Sequence, residues 1–222
     1  HNMITTYIYG ISGKMGKTIT ECLPDDFALV GGADSRHTDK CGADVIIDFS
    51  SPAATSKVIK LADKMSCPVV IATTGHNQSQ IEEIRKCATR HAVLMSGNMS
   101  IGIHLIMQMC KDLKGIADCE IVETHHRSKK DAPSGTALML KEASGAKAIH
   151  SLRLSSVIGQ HTITFGLDDE IITVTHTALS RKLFALGAIK AAKWLITMPP
   201  SLYNFDDFIN SSTHYYNYNS ER

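Results

Sequence analysis

Residues 4–17 read ITTYIYGISGKMGK, and this stretch decides the fold. Its first part, ITTYIYGI, is rich in β-branched and aromatic residues and reads as a strand that stops at Gly10. KTITECL follows and continues as a helix. Gly10, Gly13 and Gly16 therefore fall at G-x-x-G-x-x-G spacing on a strand-to-helix turn. Small residues there let a backbone approach a pyrophosphate, and the helix N-terminus offers N–H donors to it. Glycine-rich turns are common, so the spacing needs support from its surroundings.

The next segment supplies that support. FALVGGAD, residues 27–34, reads as a second strand ending in Asp34, 18 residues after Gly16. An acid about 20 residues beyond the glycines can accept hydrogen bonds from an adenosine ribose. Arg36 could instead pair with a 2′-phosphate, which keeps NADPH beside NADH as a cofactor. ADVIIDFS, PVVIATTG and AVLMSGNMS read as three further strands, with helices over SPAATSKVIKLADKM and QSQIEEIRKCATR between them. Strands alternating with helices predict a Rossmann-like, doubly wound parallel sheet. Its ligand belongs beyond the carboxyl ends of the strands. One connection departs from this pattern. Only nine residues separate Asp34 from Asp44, where a parallel crossover takes about a dozen or more. The helix between strands two and three is predicted to be missing or cut to a turn.

The second half reads differently. IGIHLIMQMCKDL is apolar on most faces and predicts a buried helix, with His104 packed in it. CEIVETHH, LRLSSVIG, HTITF and EIITVTHTAL predict strands, the last two joined by the polar turn GLDDE. PSGTALMLKEA predicts a helix, so this half is an α+β domain with a mixed or antiparallel sheet. SRKLFALGAIKAAKWL is a strong amphipathic helix, LYNFDDFI reads as a short closing helix, and STHYYNYNSER as a loose tail.

The totals limit the function. The chain of 222 residues carries 23 basic and 22 acidic residues, which leaves no footprint for nucleic acid or an anionic membrane. No apolar run reaches the roughly 18 residues of a membrane span, and the start lacks a signal-like pattern. The six cysteines are scattered without a C-x-x-C pair. That predicts a cytoplasmic protein with reduced thiols and no structural metal site.

Chemistry concentrates in HHRSKKDAPSGTA, residues 125–137. Adjacent strand residues point to opposite sides, so His125 and His126 share a cleft only where the strand ends. Histidine suits proton transfer near neutral pH, and Lys129 adds a cation in the same turn. Asp131 or Ser134 can cap the next helix, leaving Gly135 and Thr136 to present N–H groups to an anion. Such a cluster fits a substrate carrying carboxylates.

VETHHRSKKDAPSGTA closely resembles the signature of the dihydrodipicolinate reductase family. The resemblance extends to GISGKMG, IDFSSP, ATTG, GNMSIG, VIGQHTITF and THTALSRKLFALGAIKAAKWL, in the family's order. It implies reduction of the cyclic dicarboxylate 4-hydroxy-tetrahydrodipicolinate to tetrahydrodipicolinate by NADH or NADPH, on the way to diaminopimelate and lysine. It implies His125 and Lys129 as proton donors, with His126, Ser134, Gly135 and Thr136 on the substrate. It implies a cofactor shell of Gly10, Ile11, Ser12, Gly13, Lys14, Met15, Asp34, Ala72, Thr73, Thr74, Ser96, Gly97, Asn98 and Met99. It also implies a homotetramer built through the second domain's sheet. The C-terminal region returns to the nucleotide domain, giving residues 3–100 plus 182–222 as the dinucleotide-binding domain and 101–181 as the substrate-binding and oligomerisation domain.

The chain departs from the family in places. Lys14 stands where arginine is usual and loses the bidentate fork. Ser35 and then Arg36 follow Asp34, which leaves cofactor choice open, and Gln160 stands where glutamate is common. Two rivals remain at this point. Another nicotinamide-dependent amino-acid-type dehydrogenase explains the first half but does not require the histidine–lysine block. A non-catalytic dinucleotide sensor would tolerate its loss.

Overall fold

The structure is a computed structural model, and it describes residues 3–39 and 41–212. The chain divides into two compact units, one of residues 1–99 and 184–222, the other of residues 100–183.

The first unit is built on a six-stranded, wholly parallel sheet. In chain order its elements are β1 (Ile4–Tyr9), α1 (Lys14–Cys22), β2 (Phe27–Ala33), β3 (Val45–Asp48), α2 (Thr55–Met65), β4 (Val69–Ile71), α3 (Gln78–Ala88) and β5 (Ala92–Met95). The strands lie in the order β2-β1-β3-β4-β5, with one more strand from the C-terminal region beside β5. β1 pairs with β2 on one side and β3 on the other, so the direction of winding reverses between β1 and β3. That reversal opens the crevice in which doubly wound sheets hold ligands. Tyr7, Tyr9, Ile46, Val69 and Val93 pack under Val58, Ala62 and Ile84 of α2 and α3. Their strand neighbours Ile8, Ile47, Val70 and Leu94 alternate to the other face and are equally buried. Short, near-continuous apolar strands are what a sheet covered on both faces requires.

The nine-residue connection has no helix. Among its described residues it folds back along β2 instead. Asp39 donates its N–H to the Gly32 carbonyl, and its carboxylate accepts the Gly32 N–H at 2.9 Å. Asp34 accepts the N–H groups of Arg36 and His37 at 2.7 and 2.9 Å and turns the chain. These bonds replace the ones a crossover helix would have made for itself.

The second unit holds α4 (Ile101–Leu113), β6 (Asp118–His125), α5 (Gly135–Ser144), β7 (Ala148–Arg153), β8 (Gln160–Gly166) and β9 (Ile171–Thr177). The four strands form a mixed sheet in the order β7-β6-β8-β9, with only the β6–β7 pair parallel. Alternation on β6 and β8 buries Cys119, Ile121, Ile163 and Phe165 against Ile103, Met107, Cys110 and Leu140 of the two helices. The opposite face carries Glu120, Val122, His150, Leu152, Thr162 and Thr164 and is open or half-open. β7 starts at Ala148 and ends at Arg153, so only the first two residues of LRLSSVIG are strand.

The chain then returns to the first unit through α6 (Lys182–Leu195), β10 (Ser201–Tyr203) and α7 (Phe205–Ser212). β10 is a difference from the sequence reading. The start of LYNFDDFI is not helical, and Leu202 and Tyr203 form the strand that completes the sheet beside β5. Asn204 starts α7 by exchanging bonds with Asp207, each backbone N–H being accepted by the other's side chain. α6 lies so close to Met99 that a Cβ on Gly187 would stand 1.8 Å from the Met99 carbonyl oxygen. Of the expected loose tail, Ser212 closes α7, and residues 213–222 lie outside the described residues.

Candidate active site

In the first unit the turn after β1 opens at the reversal. Gly10 holds φ of +88°, a conformation that glycine adopts without strain. Its N–H and that of Ile11 both reach the Ala33 carbonyl at the end of β2. Gly13 precedes α1 and supplies no side-chain cap, so the first N–H groups of α1 keep their donor capacity toward the crevice. Gly16 fixes how tightly the turn folds, since a Cβ there would lie 2.3 Å from the Gly10 carbonyl oxygen. Ser12 and Lys14 stand on this turn, exposed, with Met15 behind them in α1.

Neighbouring strand ends complete the rim. Asp48, at the end of β3, is buried, and its carboxylate accepts from the Thr73 hydroxyl at 2.9 Å and from the Ser50 N–H at 3.0 Å. Burial raises the Asp48 pKa against these bonds. Ala72 donates its N–H to the Asp48 carbonyl, and Thr74 beyond it is exposed. After β5 the Ser96 hydroxyl donates to the Asn98 carbonyl at 2.7 Å, with Gly97 exposed between them and Met99 buried. A glycine turn, a helix start without a side-chain cap and Asp34 just past the next strand end are the kinds of group that a dinucleotide's phosphates and ribose require.

The second unit carries the other group of predicted residues. β6 ends at His125, so the chain turns at His126 as the histidine pair requires. His125 is buried at 7% exposure, and its Nδ1 hydrogen-bonds the fully buried Glu123 carboxylate two residues back on the same strand face. Arg153, at the end of β7, donates to the other Glu123 oxygen at 2.8 Å and to the Asp131 carbonyl at 2.7 Å. Burial raises the Glu123 pKa, but the bonds from Arg153, Ser151 and His125 outweigh it and hold the group ionised. Burial pushes the His125 pKa down, the Glu123 carboxylate pulls against it, and the Lys129 and Arg153 charges add to the fall.

Lys129 pairs with Asp131 at 2.8 Å, and His126 Nδ1 meets the Ser128 hydroxyl at 2.9 Å. The turn then enters α5 through a cis Ala132–Pro133 bond. Of the two possible caps it is Ser134, whose hydroxyl accepts the Ala137 N–H. That leaves Gly135 and Thr136 as the first residues of the helix, beside the histidine turn.

Two histidines that the sequence reading passed over sit on the same sheet face. His161 lies directly across from Glu123, and His176 directly across from His161. His161 Nε2 meets the Ser134 hydroxyl at 3.2 Å, and His176 Nε2 meets that of Ser100 at 3.3 Å. Ser100 and Ser134 cap α4 and α5, so each covering helix is tied at its start to one histidine of the sheet. Burial, reinforced by the charge of His125, pushes the His161 pKa down to about 4, against the pull of Glu123.

Glu123, His125 and His161 offer ligand-type atoms within 4.8 Å of one another. The carboxylate is already engaged on both oxygens, and the Arg153 cation on one of them already balances its charge. The set is better suited to orienting a proton than to holding an ion. Glu123 was within reach of the sequence, since it shares a strand face with His125 at a spacing of two. Arg153 was not, because nothing local links residues thirty positions apart.

Comparison with known proteins agrees with these features. Residues 4–99 match the family model described as dihydrodipicolinate reductase, N-terminus, and residues 99–209 match dihydrodipicolinate reductase, C-terminus. The chain is 39% identical to a 4-hydroxy-tetrahydrodipicolinate reductase of Rickettsia rickettsii, over 92% of this chain and 98% of the relative. It is 36% identical to that of Caldanaerobacter subterraneus subsp. tengcongensis, over 93% and 98%. A solved dihydrodipicolinate reductase from Paenisporosarcina sp. TG-14, bound to dipicolinate, shares the fold at a TM-score of 0.79 and 22% identity, covering 91% of this chain and 97% of that one.

Proposed function

The chain belongs to the dihydrodipicolinate reductase family and is an oxidoreductase, and from that premise we propose that it reduces 4-hydroxy-tetrahydrodipicolinate to tetrahydrodipicolinate with NADH or NADPH. The observation that carries the reading is the single turn from His125 to Thr136. It joins a buried histidine, a lysine and the Ser134-capped start of α5 in one short stretch. When bound, the dihydronicotinamide supplies the hydride. The chain's own residues must bind the dicarboxylate, orient it and supply a proton. Gly135 and Thr136 present N–H groups to one carboxylate, with Ser134 behind them and His126 beside them. Lys129 adds a cation that steers the same group and stands as the second proton donor. His125 holds the reacting proton on Nε2, the nitrogen not turned to Glu123. Gly10 through Met15, Asp34, Ala72 to Thr74 and Ser96 to Met99 hold the dinucleotide on this reading.

The division of labour follows the two units, with residues 3–100 and 182–222 binding dinucleotide and 101–181 binding substrate. The open face of the second unit's sheet, with Val122 and Leu152 exposed among threonines, supports a homotetramer assembled there. Among the described residues no helix is long and apolar enough to cross a membrane, and all six cysteines are unpaired, which supports work in the cytoplasm. The test is loss of reduced-nicotinamide absorbance with freshly generated hydroxy-tetrahydrodipicolinate, run separately with NADH and NADPH. Substrate-dependent oxidation is expected, and the two rates give the cofactor preference. Lys129→Ala should abolish turnover and weaken substrate binding while nucleotide affinity stays. Turnover by His125→Gln or Lys129→Ala at the wild-type rate would overturn the assignment.

A further inference from the structure

We propose that Glu123, anchored by Arg153, is a positioning residue that fixes the tautomer of His125 and so decides which ring nitrogen meets the substrate. This rests on the reading of His125 as a proton donor. Glu123 is completely buried and ionised, so both its oxygens can only accept. One oxygen takes the Arg153 guanidinium at 2.8 Å. The other is left for His125 Nδ1, which must therefore carry the hydrogen. In neutral His125 the free lone pair is then on Nε2. When the ring is protonated, Nε2–H is the acidic donor, and giving up that proton restores the favoured Nδ1–H tautomer. No rotation or second proton shift is needed to complete the step.

The surroundings fit this role. Nε2 faces Gly159, where a Cβ would stand 3.1 Å away, so that side of the ring is kept free of side chain. The titratable and charged groups near the ring are Glu123 on its own strand, Lys129 and Asp131 on the next turn, Arg153 on β7 and His161 on β8. Of these only Glu123 and Asp131 are acids, and of the two acids Glu123 bonds the ring, while the His161 ring meets it edge-on at a centroid distance of 5.2 Å. Arg153 also fixes what a substitution does. A glutamine at 123 would turn its oxygen toward the guanidinium and its amide N–H toward His125. Nδ1 would become the acceptor, and the resting hydrogen would move to Nε2 of a neutral ring, a far weaker acid.

The experiment uses the full-length protein in two arms. Nitrogen-15 spectra of histidine-labelled wild type should show His125 with hydrogen on Nδ1 at neutral pH. The opposite tautomer would overturn the proposal without need of any variant. In Glu123→Gln, kcat should fall by on the order of 10²–10⁴-fold with KM little changed. The descending alkaline limb of its pH profile should move to lower pH, because the carboxylate that favours imidazolium is gone. A merely structural glutamate would lower thermal stability but leave that limb in place, and this result would also overturn the proposal. His125→Gln separates the two readings. If it turns over normally, the donor assignment fails. If it is inactive while Glu123→Gln keeps wild-type kcat and limb, only the positioning role fails.

Discussion

Replacing Gly187 by alanine sets two known effects against each other, and the sign of the outcome tests the packing of α6. In the interior of an exposed helix, Gly→Ala stabilises by roughly 0.5–1 kcal/mol. Here the new methyl would stand 1.8 Å from the Met99 carbonyl oxygen and 3.4 Å from the Phe205 ring, whereas real Cβ contacts essentially never fall below 3.0 Å. The helix and the Met99 peptide must therefore separate by more than about 1 Å. The helix cannot retreat freely, since Ala185, Ala188, Ala191, Ala192 and Leu195 are all fully buried. Overpacking of this kind costs about 1–3 kcal/mol. After the helical gain is subtracted, a net loss of roughly 0–2.5 kcal/mol remains, centred on about 1 kcal/mol. For a chain of this size the central loss lowers Tm by roughly 2–4 °C. Circular dichroism melts of wild type and Gly187→Ala read the shift directly. Nucleotide affinity should weaken in the same variant, because the strained peptide ends the Ser96–Met99 segment. A Tm equal to or above wild type would refute the close approach of α6 to Met99.

Three further outcomes follow from the geometry. His161 releases its proton in the fold down to about pH 4, against 6.5 for a free histidine, so the unfolded chain binds the proton first and stability is lost as pH falls between these values. The loss should be about 2 kcal/mol at pH 5 relative to neutral pH. Urea midpoints at both pH values should show it in wild type and show much less in His161→Gln. Asp34→Ala should raise the Kd for NADH about 10-fold and that for NADPH less, by fluorescence titration, and equal losses would count against a ribose contact. Gly159→Ala crowds His125 Nε2 and should lower kcat roughly 10-fold with nucleotide Kd unchanged, whereas a wild-type kcat would mean that Nε2 is not the reacting nitrogen.

The parts legible in the sequence are those governed by local rules. β1, its glycine turn and α1 follow from a β-rich run, three glycines and a helical period within one short stretch. The helix-free connection after Asp34 followed from counting residues, because the number of residues limits what a crossover can contain. The end of β6 at His125 followed from side-chain alternation. What escaped depends on partners distant in the chain. β10 is only three residues long, and it is a strand because β5 offers it an open edge, not because Ser201–Tyr203 has a strand pattern. Asp34 also supports a turn, because in a connection without a helix its carboxylate accepts the backbone N–H groups of Arg36 and His37. Arg153 meets Glu123 through the β6–β7 pairing, and the two capping serines meet histidines brought by other strands. Registry between strands is a property of the assembled sheet, and single segments do not carry it.

The discontinuous first unit has a consequence for how the chain is made. Synthesis delivers β1 to β5 first, then the whole of the second unit, and only afterwards α6, β10 and α7. The second unit is continuous in sequence and can close its core as soon as β9 leaves the ribosome. The earlier strands meanwhile lack the buried alanine face of α6 and the strand that covers the edge of β5. The unit begun first is thus finished last, and for that interval β5 is an uncovered edge on a nascent chain, the kind of surface that chaperones exist to shield.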